Sequence, residues 1–512
     1  MNCSFENRRG LGRIGGAMLL SIGLAAVFAP APASATGTRA WNLGVMNRFI
    51  LDDANRWLFP HTITKYGSLF YIELYGLNDS NASTAPTSMR GARDSTGSML
   101  SAADIVPVQG TAGGGAIIAL TDDLFISFHL SDYENPTVRA FLAQIVNAGN
   151  IFSGDPNTFG WLASGRMPNP ITDANRKFDV FVAYNVADLL NVGLQLSIGS
   201  SNYSYNPNAS DPNILPGGRD ELRRAPDDLG ASEFRFLLSA GVDISDALSI
   251  DAAFGMGFDS ITYLPNQRVD LLEGGGGLEL QADVRAMIGI SEWWELIPAI
   301  SIRSVGLSAA DLGDFATGLD FDISDNSEPG RENTNITDIK ASSFVLDMGL
   351  AGHFKPNDIV QFWGAMGFQL QKRSFQYTHG VADNPGSFPR NTPANTLEYL
   401  RDSQSFTALP YVRLALEARI FSWLDFRGGV VKYMRGDNTR HEQVDDQDTN
   451  QNQDNDFSDD QPFFDYFVGI GAHYEGFFLD MQLDPLWFKR GPDFLSGSGG
   501  NMFVNGSLGY RY

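Results

Sequence analysis

The amino-acid sequence predicts an all-β fold: a transmembrane antiparallel β-barrel of about sixteen strands, with fourteen also possible, preceded by a plug-like N-terminal segment. Three observations carry that prediction. Short polar turns recur seven times, each flanked by about ten residues of alternating polarity, the length of a tilted membrane-crossing strand. Past residue 35 no apolar run reaches the length of a membrane helix, so a chain that spans a bilayer must satisfy its backbone in a closed sheet. The chain then stops on an alternating strand, 502–512, whose last residue is Tyr512.

The first residues set the compartment. Arg8, Arg9 and Arg13 precede an apolar run from 17 to 29, and Ala33, Ser34 and Ala35 form a small-residue cleavage site, so residues 1–35 read as a secretory signal peptide. Cys3, the only cysteine, lies inside it and leaves the mature chain no disulfide or thiolate site. Removing the signal takes away those three arginines and Glu6, leaving 33 basic against 59 acidic residues, a net charge of −26. An acid excess of that size excludes nucleic acid and anionic lipid as partners recognised by charge.

The turns are expected at 121–123, 187–188, 245–246, 291–292, 355–358, 422–423 and 475–476. Between the hairpins lie stretches rich in Asn, Asp, Gly, Pro and Ser, at roughly 77–112, 132–176, 201–230, 258–275, 306–339, 373–403, 435–460 and 485–500. Short turns at one end and long loops at the other match the periplasmic and extracellular ends of outer-membrane barrels. Seven hairpins give fourteen strands, and one more at each end, 67–76 and 502–512, makes sixteen. The domain reading is therefore a signal at 1–35, a periplasmic or luminal plug segment at 36–65 and the barrel at 66–512.

The clearest strand is 277–290. Leu278, Leu280, Ala282, Val284, Ala286, Ile288 and Ile290 share one face, while Glu279, Gln281, Asp283 and Arg285 share the other. A helix with a period of 3.6 would scatter those charges around its axis. In the last strand Val504, Leu508, Tyr510 and Tyr512 are assigned to lipid, and Asn505, Ser507 and Arg511 to the lumen. A soluble sandwich would show similar alternation, but aromatics near strand ends (Tyr66, Phe70, Trp293, Trp294, Phe362, Phe421, Trp423, Phe477, Phe478) suit interfacial girdles better.

The same alternation assigns a lumen lining of mixed sign: Glu233, Arg235, Glu279, Asp283, Arg285, Asp347, Arg413, Glu417, Arg419, Asp425, Arg427 and Asp465, together with Glu73, Asp179, Asp251 and Asp480. Such walls either set up a transverse field across a wet pore or pair across a narrow, filled one. Phe181, Leu237, Trp363, Val431 and Phe467 would add greasy patches. In residues 42–65, Asp52, Asp53, Trp57 and Phe59 belong to a mixture too apolar to stay a free periplasmic tail, which makes this segment a candidate plug; a short helix packed under the turns is the alternative.

Other motifs are weaker. Val138, Phe141, Leu142, Ile145 and Val146 have helical spacing within 135–149, which places an amphipathic helix in an extracellular loop. Asp448, Asn450, Asn452, Asp454, Asp456 and Asp459 follow part of a calcium-loop spacing, but Gln453 stands where the turn needs glycine; a solvated acidic loop is the preferred reading and the metal question stays open. His61, His379 and His441 fall in the N-terminal segment or in expected loops, and His129, His353 and His473 on lumen faces. No nucleophile elbow, zinc pair or phosphate loop is present, so neither an enzyme nor a cofactor is expected.

Residues 51–60, Leu-Asp-Asp-Ala-Asn-Arg-Trp-Leu-Phe-Pro, resemble the N-terminal stretch of the outer-membrane long-chain fatty acid and aromatic hydrocarbon transporters, although Phe59, Pro60 and His61 replace that family's Asn-Pro-Ala. The hairpins at 118–128 and 182–196, with a helix-bearing loop between them, resemble its paired strands joined at an Asp-Leu turn. The resemblance implies a luminal hatch, passage of a small hydrophobic molecule and lateral release through the wall; the family has fourteen strands. It transfers no ligand residue. The expected partners are outer-membrane lipid and lipopolysaccharide, the barrel-assembly machinery and a small-molecule solute. A general diffusion porin, or a barrel serving as secretion shuttle or adhesion platform, are the alternatives.

Overall fold

The computed structural model describes residues 37–44, 47–74, 112–132, 171–187, 189–205, 228–264, 275–310, 334–381, 397–445, 453–483 and 503–512. Along them run β1 (Leu69–Leu74), β2 (Ala112–Ala119), β3 (Leu124–Ser131), β4 (Ile171–Ala187), β5 (Leu190–Tyr205), β6 (Asp228–Ser245), β7 (Leu248–Leu264) and β8 (Gly275–Ser291). The second half supplies β9 (Trp294–Ala310), β10 (Thr334–Phe354), β11 (Val360–Val381), β12 (Leu397–Phe421), β13 (Leu424–Asp445), β14 (Gln453–Tyr474), β15 (Phe477–Leu483) and β16 (Phe503–Arg511). Each strand pairs antiparallel with the next, and β1 pairs β16 from Leu69↔Arg511 to Leu74↔Gly506, closing a sixteen-stranded barrel. Closure leaves no row of unpaired amides facing hydrocarbon.

All seven turns lie where the polar breaks place them, and local side chains explain several. The Thr121 hydroxyl accepts from the amides of Asp123 and Leu124 at 3.2 and 3.0 Å, and Asn357 Oδ1 accepts from those of Ile359 and Val360 at 2.9 Å. These side chains occupy amides that the ladder leaves free at the bend. The signal peptide at 1–35 and the helix expected at 135–149 lie outside the described residues.

The strands run well past the expected limits. Thr334, Val381, Leu397, Asp445 and Gln453 are strand ends inside stretches read as loops, and β12 spans 25 residues. His379 and His441, assigned to loops, therefore sit in β11 and β13. Residues such as Arg401 to Ser405 are polar at successive positions, so they pair their backbones without any alternation to betray the strand. The calcium-like stretch is described only in part: Asp454, Asp456 and Asp459 lie in β14, paired with Glu442, Arg440 and Asp437 of β13, and positions 448, 450 and 452 lie outside the described residues.

Across the wall the faces separate as the alternation requires. Val284 is 42% exposed on the outside, whereas Asp283 and Arg285 are 2% and 1% exposed on the inside. Outward-facing Phe254, Phe258, Leu414 and Phe464 are exposed, while Arg285 and Arg427 rank among the largest fully buried side chains. An apolar exterior around a charged interior is the reverse of a soluble sandwich and suits a hydrocarbon surround. Trp293, Trp294, Phe421, Trp423, Tyr474 and Phe477 are exposed beside the short turns, as an interfacial girdle requires. Tyr66 and Phe478 depart from the expected girdle: both turn inward onto the buried cluster of the lumen.

Two expectations follow. Val284→Arg should destabilise the barrel by about 2–4 kcal/mol in a lipid-refolding titration, and Asp283→Asn by far less; equal costs would defeat the register. Removing residues 510–512 deletes the partners of Leu69 and Phe70, so membrane-inserted, heat-modifiable protein should be lost while secretion continues.

Candidate functional site

The N-terminal segment supplies the inner surface that the wall faces. It holds helix α1 (Gly37–Leu43) and three short 3₁₀ turns, Asn47–Phe49, Asp53–Trp57 and Pro60–Lys65. Asp52 caps the second turn: its carboxylate accepts from the Ala54 amide at 3.0 Å while Asn55 Oδ1 accepts from the Asp52 amide at 3.1 Å. The pattern Asp-x-x-Asn thus has a local structural role. Phe49, Asn55, Phe59 and His61 are completely buried. Their partners come from strands right around the barrel, a placement available only from within the lumen.

One ion chain begins on α1. Arg39 Nε lies 3.1 and 3.2 Å from the Glu417 oxygens, and its Nη2 is 2.5 Å from Glu417 Oε2. Its Nη1 reaches Asp52 Oδ2 at 3.2 Å. Arg427 donates to Glu417 Oε1 at 2.8 Å and pairs with Asp480, with Asp425 at 3.9 Å. Each base in this group lies between acids, which is what lets the six charges leave water together.

Arg285 organises a second group. Its Nε donates to Asp251 at 2.8 Å, Nη1 to the Arg48 and Ile50 carbonyls at 3.2 Å each, and Nη2 to Asn55 Oδ1 at 3.2 Å, with the guanidinium 4.6 Å above the Phe59 ring. Asp251 also meets His61 Nε2 at 2.8 Å, and His61 Nδ1 lies 3.0 Å from Ser239. Further round, Arg48 pairs with Asp347 at 3.2 Å, Tyr411 donates to Asp347 at 3.0 Å, and Arg413 donates to the Gly44 carbonyl at 2.8 Å. Trp57 meets His129 and Phe181 edge-on at 5.0 and 5.1 Å, and the Arg56 guanidinium lies 4.4 Å from the Tyr71 ring.

The wall is cut to fit the segment. A Cβ at Gly429 would strike the Leu43 carbonyl, and one at Gly469 the Asn42 side chain, so these strands present glycine where α1 ends. The residues read as greasy patches face the segment: Phe181 meets Trp57, Leu237 joins Phe59, and Trp363 lies 5.9 Å from Arg39. Val431 and Phe467 are buried as well.

Of the charged residues assigned to the lumen, Arg285, Asp347, Arg413 and Glu417 bond the segment directly, and Arg427 does so through Glu417. Another group pairs along the wall, Arg235 with Glu279 at 3.6 Å and Glu233 with Lys177 at 3.8 Å. Asp283 accepts from Gln281. Arg419 is exposed beside the short turn at 422–423, 3.4 Å from buried Asp425, and the Asp465 side chain lies outside the described residues. Asp52, Asp53, Trp57 and Phe59 are all buried in the segment. Alternation could not find their companions Arg39, Arg48, Arg56 and His61. A charge count had the signal: residues 37–66 carry four basic side chains (Arg39, Arg48, Arg56, Lys65) against Asp52 and Asp53, in a chain of net charge −24.

A closed sheet with an apolar exterior, an aromatic girdle and a charged inner face defines an outer-membrane β-barrel protein. No family profile and no curated protein matches the sequence. Among solved structures, the siderophore receptor PirA from Acinetobacter baumannii aligns at 9% identity and TM-score 0.32 over 87% of this chain and 80% of that one. The ferric yersiniabactin uptake receptor FyuA from Yersinia pestis aligns at 10% identity and TM-score 0.29, covering 78% of this chain and 77% of its own. The CymD monoaromatic hydrocarbon channel aligns at 9% identity and TM-score 0.30, covering 78% of this chain and 93% of its own. Likenesses at these scores carry no argument, and the assignment rests on the closed ladder and its faces.

Burial lowers the His61 titration below its ordinary value of 6.5, so the docked imidazole is neutral. Its contribution to docking is complete above about pH 6.5 and declines as pH falls below it, because the released segment takes up the proton. Asp53 acts in the opposite sense, since burial and the adjacent Asp52 carboxylate push it well above the usual carboxylate range. The His61 part is therefore read as a difference. Between about pH 7.5 and about pH 5.5 the wild type should lose more protection of the segment from protease than His61→Asn does.

Proposed function

We propose that the protein is an outer-membrane channel for small molecules whose lumen is closed by residues 37–66. The observation that carries this reading is the buried segment itself, bonded to the wall by Arg39, Arg48, His61 and the Gly44 carbonyl on strands β7, β10 and β12. A filled lumen does not conduct, and a segment held through polar pairs and short turns can be released without unfolding the sheet. Lipopolysaccharide and the assembly machinery are the partners that this location implies. A hydrophobic solute is implied by the family resemblance; the inner aromatics it would use lie against the segment.

The test is conductance in planar bilayers. Wild-type protein should be close to silent, whereas deletion of residues 42–60 should give steady open steps. Gly429→Leu and Gly469→Leu, which place a side chain where α1 ends, should do the same in the full chain. Unchanged conductance together with an intact, heat-modifiable barrel would rule the closure out.

A further inference from the structure

Two of the wall's carboxylates hold guanidinium groups that belong to the segment. Glu417, 6% exposed, takes the Arg39 fork through Nε at 3.1 and 3.2 Å and Nη2 at 2.5 Å, with the Trp363 ring 5.9 Å away and Arg427 fixing its Oε1 at 2.8 Å. Asp347, completely buried, takes Arg48 at 3.2 Å and is oriented by the Tyr411 hydroxyl at 3.0 Å. In both places the acceptor and the residue that orients it belong to the barrel, and the cation belongs to the removable piece. A carboxylate held in place beside an aromatic ring suits a planar, forked cation better than a compact one.

We propose that Glu417 and Asp347 are guanidinium subsites of the lumen, filled in the closed state by Arg39 and Arg48, and that the solutes which compete for them are small organic cations bearing a guanidinium group. This rests on the reading that the segment closes the lumen, and it names a cationic class of solute in place of the hydrophobic one that the family resemblance implies. Docking of the segment and binding of such a cation are then mutually exclusive at each subsite. A solute shifts the balance only by its preference for the released state, so a single-site cation loosens the segment less than one that engages both carboxylates.

The test uses the full chain with Arg39→Ala and Arg48→Ala together, which empties both subsites, and agmatine as the probe. Agmatine should raise the unfolding midpoint of this variant, and adding Glu417→Gln and Asp347→Asn should weaken its apparent affinity by about tenfold or more, the loss expected when a charge-assisted bond is removed. In bilayers the current through the double variant should be carried by cations and blocked by agmatine, while glutarate leaves it unblocked. Agmatine binding that ignores the two carboxylate substitutions, or equal binding of glutarate, would overturn the proposal. Should the double variant fail to insert, Arg48→Ala alone empties the Asp347 subsite, and the same titration with Asp347→Asn as control decides the matter. A folded double variant that binds agmatine through these carboxylates yet stays silent supports the subsites and counts against closure of the lumen by the segment.

Discussion

Every charge taken out of water inside this barrel must find its opposite, and that requirement shapes the interior. Removing one partner of a buried ion pair costs about 3–5 kcal/mol, because the other is left stranded. Glu417 and Asp347 on the wall meet Arg39 and Arg48 on the segment, and Asp251 meets Arg285. Arg285 meanwhile donates to the Arg48 and Ile50 carbonyls of the segment. The segment is short of regular structure, and these bonds from the wall supply what its own turns cannot. Wall and segment are therefore one electrostatic unit built from two pieces of chain.

The outer surface obeys a simpler constraint. Lipid offers no hydrogen bonds, so the sheet must close, and it rewards apolar side chains on the face it touches. That pressure reaches only as far as the hydrocarbon. Along β8 it imposes strict alternation from Leu278 to Val284, whereas β12 continues to Leu397 through Arg401, Asp402 and Ser403 with no alternation at all. The same physics that made the membrane strands readable hid their extensions. It also made an acidic stretch at 445–460 look like a loop when much of it is paired strand.

Fitting the segment into the lumen takes steric as well as electrostatic provision. Glycines 429 and 469 admit α1 against β13 and β14, and Trp57 and Phe59 fill the space between Phe181, Leu237 and Ala253. The aromatic residues inside the barrel thus pack against the segment. Resemblance to the fatty acid and hydrocarbon transporters directed attention to residues 51–60, of which 52–60 are buried and Leu51 is exposed; the barrel has sixteen strands where that family has fourteen.

The sequence by itself determined the seven turns and which face of the clearest strands meets lipid, because a period of two and a polar break are local properties; the structure decided for sixteen strands over fourteen. It also marked Asp52, Asp53, Trp57 and Phe59 as belonging to a segment too apolar for water. Only the tertiary structure decided that Arg39 meets Glu417 across 378 positions and that His61 meets Asp251 across 190. Such pairings depend on barrel closure and on how far the segment is threaded, and no local pattern encodes the distance between residues that closure alone brings together.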